Sequence, residues 1–240
     1  MAGELEAAAE LADRAVARGR ATNHSLSLAL AFLLAGEVRE LRREPDAVGR
    51  LGQELLALSR EHSLSFFASF GLMFTGWATV ASGQPDGIAA IREGADLFRS
   101  VGQRVGLAHR AHLAEALMVV GDAEQALAVV AEALQQAGHS GEGAFAAELH
   151  RLRGEALQAL ARERDAEICF REAADVASRQ GASLFALRAA TSLARLGASD
   201  EGILREACRM LDALVIRFPA TLELEDLRAA RALLGSQPSA

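Results

Sequence analysis

The chain has 240 residues, of which 51% are hydrophobic, and its formal net charge is −7. All 25 basic residues are arginine, which excludes chemistry that needs a lysine: the phosphate-binding G-x-x-x-x-G-K loop, Schiff-base catalysis and Ser-Lys nucleophile pairs. The acidic balance provides no basic surface for phosphates, so we expect neither nucleic acid nor a membrane as a partner.

Good helix formers dominate the sequence and only four prolines interrupt it, which predicts an all-α protein. Residues 1–20 are predicted to form a leading helix, ended by Gly19, that has the pattern of the second half of a helix pair. A capping helix at 222–234 and a frayed tail at 235–240 follow the last pair. The five predicted pairs are 24–43 with 45–62, 65–82 with 85–101, 103–120 with 122–137, 144–162 with 165–180, and 183–196 with 201–217.

An internal repeat organises these pairs. Four aspartates at helix starts are each followed sixteen residues later by a residue that ends the helix: Asp46 and His62, Asp86 and Gly102, Asp122 and Gly138, Asp165 and Gly181. The starts lie 40, 36 and 43 residues apart, a period at which a helix pair cannot bury its apolar face alone. We therefore predict a single right-handed α-α superhelix, or solenoid, of about five pairs over residues 1–240.

The third pair carries the pattern of a known repeat. Large and small residues alternate around a turn glycine, at Leu113, Ala114, Leu117, Gly121, Ala126, Val130 and Ala133. Small residues at such places allow two helices to approach closely, and Gly76 and Gly154 hold the equivalent place in their own pairs. The chain therefore resembles a divergent tetratricopeptide (TPR) array, although its repeats are longer than the roughly 34 residues of that family.

Longer stretches resemble the C-terminal helical region of large bacterial signalling proteins. In those proteins a nucleotide cyclase or DNA-binding domain is followed by an AAA-type ATPase and then by helical repeats. The resemblance implies a non-catalytic protein-protein interaction or regulatory scaffold, with an upstream ATPase or cyclase domain as one partner. The alternative that it implies is a small-molecule-sensing regulatory domain. The matching stretches are residues 87–102, 147–160, 167–183 and 187–196, and the match decays after Leu196.

In tetratricopeptide arrays, set positions of each first helix line a concave groove. The residues that the resemblance places there are Phe70, Met73, Trp77, Glu115, Met118, Glu148, Arg151, Glu155, Arg188 and Arg195. Aromatic anchors and bidentate arginines suit an extended peptide or a partner helix with acidic groups. The alternative is a solvated face on which Arg and Glu side chains pair with each other across repeats.

Other candidate chemistry is disfavoured. His109, His112 and Glu115 are spaced three apart on one helix, with His150 as a neighbour, but at most two of them could meet one ion. No nucleophile, base and orienting residue converge in the pattern. We therefore expect no metal, no cofactor and no enzymatic activity.

The compartment follows from the cysteines and the apolar runs. Cys169 and Cys208 lack C-x-x-C spacing, which suits free thiols in a reducing compartment. The longest apolar run, residues 26–35, is too short to cross a membrane. It also follows several acidic residues, which a secretory leader lacks. We expect a cytoplasmic protein. We also expect the unpartnered face of the leading helix, with Leu5 and Leu11, to meet a second copy of the chain or an upstream domain.

Overall fold

The chain is almost entirely helical, which confirms the all-α prediction. The computed structural model describes residues 2–22, 24–102, 106–140, 143 and 145–235, and within these ranges it contains twelve α-helices, one short 3₁₀ turn and no strand. The helices are α1 (Ala2–Thr22), α2 (Ser25–Leu41), α3 (Pro45–Glu61), α4 (Ser65–Ala81), α5 (Gly87–Ser100), α6 (Leu107–Val119), α7 (Ala123–Ser140), α8 (Ala146–Ala159), α9 (Glu163–Gln180), α10 (Ser183–Leu196), α11 (Glu201–Val215) and α12 (Glu225–Gly235). None of the helices described is both long and apolar enough to cross a lipid bilayer.

The contacts divide the chain into two compact units. The first unit is Glu4–Gly121, and the second contains Asp122–Ala240. Each unit has large, fully buried side chains of its own, such as Phe74 and Ile91 in the first and Phe170 and Leu187 in the second. The boundary falls between α6 and α7, inside the third predicted pair.

Four predicted pairs correspond to helices that pack against each other: α2 with α3, α4 with α5, α8 with α9, and α10 with α11. Several predicted helix limits are wrong, three of which have a clear reason. Helix α1 continues through Gly19 to Thr22, because at Gly19 it approaches α2 so closely that an added Cβ would lie 3.1 Å from the Cα of Leu28. Helix α7 continues through Gly138, since an interior glycine costs only about 1 kcal/mol. Helix α12 starts at Glu225, because a turn from Pro219 precedes it.

A left-handed residue ends most helices at a regular interval. Neighbouring turns of this kind are 19 or 20 residues apart within each unit, so a helix with its turn spans about 20 residues and a pair about 40. Glycine adopts this conformation without strain, whereas a residue with a side chain costs about 1–2 kcal/mol. The left-handed residues, with φ from 57° to 84°, are Arg43, Ser63, Gly83, Gly102, Gly121, Ala161 and Gly181.

Glycines also allow the two helices of a pair to touch. A Cβ added to Gly154 would lie 2.4 Å from Cε1 of the buried Phe170, and one added to Gly76 would lie 2.5 Å from the carbonyl oxygen of Gly87. Both distances are far shorter than a carbon can tolerate, so the predicted packing role of Gly76 and Gly154 is confirmed. The close contacts fix α8 on α9 and α4 on α5.

Candidate functional site

Most of the residues predicted to line a groove fall into two polar clusters, one in each unit. Both clusters are built mainly from the first helices of successive pairs. The first, called the Trp77 cluster, consists of Glu37, Glu40, Arg43, Trp77, His112 and Glu115. The second, called the Arg188 cluster, consists of Glu148, Arg151, Glu155, Arg188, Ser192 and Asp226.

The Trp77 cluster connects α2, α4 and α6. The buried Trp77 donates a hydrogen bond from Nε1 to Oε2 of Glu115, at 3.0 Å. The other oxygen of Glu115 forms an ion pair with Arg43, the left-handed residue that follows α2. The only polar atom of the Trp77 side chain is therefore already engaged by the protein, and two predicted groove residues bind each other.

A histidine joins α6 to α2 in the same cluster. His112 is buried and its Nε2 forms an ion pair with Oε1 of Glu40. Burial alone lowers the pKa of His112, but the carboxylates of Glu40, Glu115 and Glu37 outweigh it and raise the pKa above its ordinary value. Burial, with a smaller effect of Glu40, also raises the pKa of Glu37. His112 and Glu37 therefore hold their protons more tightly in the folded cluster than they do in water.

His109, one turn earlier on α6, has a different environment. Its ring packs against those of Phe70 and Phe98, with centroids 4.9 and 4.6 Å away, and its buried Nε2 has no hydrogen-bond partner. Burial, and then the charge of His112, lowers the pKa of His109 to about 3, so this imidazole is neutral at physiological pH. In the part of the chain that the structure describes, no group of three or more His, Cys, Asp or Glu residues is placed to hold a metal ion.

The Arg188 cluster connects α8, α10 and α12. Arg151 donates to Glu148 from Nε at 3.0 Å and from its second terminal nitrogen at 2.7 Å, and it also pairs with Glu155. Arg188 donates from Nε to Oδ2 of Asp226 at 2.9 Å, and another of its nitrogens lies 3.8 Å from Glu148. The four predicted groove residues of this cluster thus pair with each other or with a neighbouring helix. Arg151 pairs with glutamates of its own helix, whereas Arg188 pairs across repeats with Asp226 and lies near Glu148.

The remaining predicted groove residues lie outside both clusters. Met73 is 1% exposed and packs towards Gly94 of α5, so the prediction that it lines an open surface is wrong. Phe70 is half-buried in the aromatic contacts around His109, Met118 is half-buried, and Arg195 is exposed. The accessible part of the predicted groove is therefore smaller and less cationic than its residue types suggested.

Three acidic members of the clusters were not predicted from the sequence: Glu37, Glu40 and Asp226. A signal for the first two was present in Gly36, where an added Cβ would lie 2.3 Å from the ring of Phe74. Gly36 is thus the small packing residue of α2, and counting from it would have placed Glu37 and Glu40 on the face that Trp77 occupies in α4. Asp226 follows the predicted end of the repeats, and no such signal marks it.

Comparisons with known proteins give a fold and one distant relative. No family model matches the chain. A segment of 143 residues, which is 58% of the chain, is 32% identical to an uncharacterized protein of Rhizobium meliloti (strain 1021). The matched segment covers only 14% of that protein. Among solved structures, BtubC (BKLC) from P. vanneervenii is similar with a TM-score of 0.58 and 16% sequence identity, over 98% of this chain and 94% of that one. This likeness extends to the fold alone.

Proposed function

We propose that this chain is a non-catalytic module for protein-protein interaction, in which the helix pairs stack as a right-handed TPR-like solenoid. The observation that carries the proposal is the connection of every second helix by side-chain pairs: α2, α4 and α6 in one unit and α8, α10 and α12 in the other. Within each unit, helices joined in this way present a continuous face, which is how repeat arrays build binding surfaces.

The packing of the pairs supports the same proposal. Glycines at helix contacts and a left-handed turn about every 20 residues are what an array of similar units requires. The likeness in fold to BtubC covers almost the whole chain and is compatible with such an array. The accessible members of the face are Phe70 and Met118 in the first unit and Glu155 and Arg195 in the second. The bound partner would be a protein or peptide that contacts the residues of either unit.

The chain would act as part of a larger cytoplasmic assembly. The relative from Rhizobium meliloti is about seven times as long as the segment that matches, so similar helices occur there within a much longer polypeptide. Together with the resemblance to bacterial signalling proteins, this favours an upstream ATPase or cyclase domain as one partner and a regulatory scaffold as the role. A second copy of the chain, bound through α1 with its exposed Leu11, is the other partner that we propose.

Affinity purification from the source organism tests this proposal. The tagged wild-type chain should retain a specific protein, and Met118→Glu or Arg195→Glu should lower its recovery several-fold. Ile216→Glu provides the matched control, because Ile216 is an exposed apolar side chain outside the proposed face. If no protein is retained, or if Ile216→Glu reduces recovery as much as the other two, the proposal is wrong.

A small-molecule-sensing role is the second candidate. It is favoured by a cleft in the first unit, in which the buried hydroxyl of Ser59 has no hydrogen-bond partner.

A further inference from the structure

The cleft lies between α3, α4 and α5, on a side of α4 that the Trp77 cluster does not use. Its volume is about 320 Å³, at the lower end of the range for small-molecule sites. Three leucines, three serines, an alanine, an arginine and a glutamate surround it. The lining residues are Leu56, Ser59, Arg60, Ser63, Ser65, Ala68, Leu72, Glu93 and Leu97.

A similar cleft recurs at the same place in the repeat of the second unit, between α9, α10 and α11. Its volume is about 180 Å³, and the first residue of the middle helix is a serine in both cases, Ser65 and Ser183. Helix stacking alone therefore produces a cleft here, and only its side chains can make it selective. Ala177 stands in the second cleft where Ser59 stands in the first, and no acidic residue lines the second cleft.

Two features of the first cleft indicate a ligand. Ser59 is 1% exposed and its Oγ has no hydrogen-bond partner, which is uncommon for a buried hydroxyl. Helix α4 begins without a side-chain cap at Leu64, and the N–H groups of Ser65 and Phe66 have no backbone acceptor. Free N–H groups and the positive end of the helix dipole favour an anionic group at such a helix start.

The charged residues of the cleft complete the pattern. Arg60 and Glu93 are both exposed, and neither forms an ion pair with any residue that the structure describes. Arg60 can bind a carboxylate in two-point geometry, and Glu93 can accept hydrogen bonds from an ammonium group. Leu56, Leu72 and Leu97 offer apolar side chains in the same cleft. The cleft thus has one place for a carboxylate, one for an ammonium group and one for an apolar side chain.

We propose that this cleft binds a free aliphatic α-amino acid. The carboxylate would contact Arg60, the hydroxyl of Ser59 and the start of α4, while the ammonium group would contact Glu93 and the side chain would pack on the leucines. This site lies apart from the face proposed for protein partners and does not depend on that role. Loss of partner retention in the affinity purification would therefore leave amino-acid binding intact.

Isothermal titration calorimetry of the full chain with L-leucine, L-isoleucine and L-valine tests the proposal. At least one of the three should bind with a stoichiometry of one. Leucinol, which lacks the carboxylate, and 4-methylpentanoate, which lacks the ammonium group, should each bind at least about tenfold more weakly, because each loses a charge-assisted contact. If none of the three amino acids binds, or if 4-methylpentanoate binds as well as leucine, the proposal is overturned.

Variants place the binding in this cleft. Ser59→Ala, Arg60→Gln and Glu93→Gln should each lower the affinity at least about tenfold, and the two exposed positions should do so without loss of helical circular dichroism. Ser178→Ala in the second cleft is the matched control and should leave the affinity unchanged. An equal loss in Ser178→Ala, or full affinity in Arg60→Gln and Glu93→Gln, would rule out the assigned site.

Discussion

The two histidines of α6 should influence stability in opposite directions as the pH changes. The pKa of His109 is lowered to about 3 in the folded chain, so between pH 6.5 and 3 the unfolded chain takes up a proton that the folded chain does not. Stability is therefore lost as the pH falls through this range. The pKa of His112 is raised, so its contribution is complete below about pH 6.5 and is lost as the pH rises through the folded value.

The size of the His109 effect follows from the difference between its folded and unfolded pKa values. With an unfolded pKa of 6.5 and a folded pKa of about 3, the proton uptake between pH 7 and pH 5 amounts to about 2 kcal/mol of lost stability. His109→Phe removes the titration and keeps an aromatic ring against Phe70 and Phe98. The variant should therefore lose about 2 kcal/mol less than the wild type over this interval, whatever its stability at pH 7.

The single tryptophan makes the measurement local. Trp77 is buried in the same unit as both histidines, and the chain has no tyrosine, so its fluorescence in urea titrations reports the unfolding of that unit. His112→Gln should shift the pH profile the opposite way, with a larger loss of stability at pH 5.5 than at pH 8. A constant difference between His109→Phe and wild type from pH 7 to pH 5 would refute the assignment of His109 as a neutral buried imidazole.

Three further predictions concern stability. Arg188→Ala should lower the free energy of unfolding by about 3–5 kcal/mol, because it removes a buried guanidinium and leaves the carboxylate of Asp226 without its cation. Arg195→Ala, at an exposed position, should change it by less than about 0.5 kcal/mol in chemical denaturation. Gly154→Ala should cost about 1–3 kcal/mol, seen as a lower Tm, because its Cβ overlaps the ring of Phe170; an unchanged Tm would contradict this helix contact. Ala161→Gly should raise the Tm slightly. The relief of left-handed strain, about 1–2 kcal/mol, exceeds the cost of the greater conformational entropy that glycine gives the unfolded chain. A lower Tm would show that the turn is not strained.

The helices and their pairing could be predicted from the sequence because both depend on local signals. Apolar residues at helical spacing and glycines at one place per pair, such as Gly76 and Gly154, determine which faces meet. The turns were harder, since Arg43, Ser63 and Ala161 adopt the left-handed conformation without being glycine. Tertiary contacts hold these residues in a conformation that their side chains disfavour. The local sequence pattern does not indicate which residues are held in this way.

The candidate site was predicted only in part, for a related reason. Position along a helix indicates which face a residue occupies but not how deeply the next helix buries it, and so Met73 was misplaced. The same limit hid the pairing of Arg188 of α10 with Asp226 of α12, which neutralises an arginine on a surface that looks cationic. Burial and neutralisation are properties of three helices together, and a single helix does not determine them.

The polar pairs nevertheless follow a rule that the repeat itself supplies. Trp77 and Glu115 are 38 residues apart, Arg188 and Asp226 are 38 apart, and Glu155 and Ser192 are 37 apart, which is close to one repeat period in each case. Each pair therefore joins one helix pair to the next, whereas Gly76 and Gly154 make their close contacts inside a single pair. In an array whose stability is the sum of unit terms and neighbour terms, these side chains belong to the neighbour terms. Their loss should weaken cooperation between helix pairs more than the stability of any one pair.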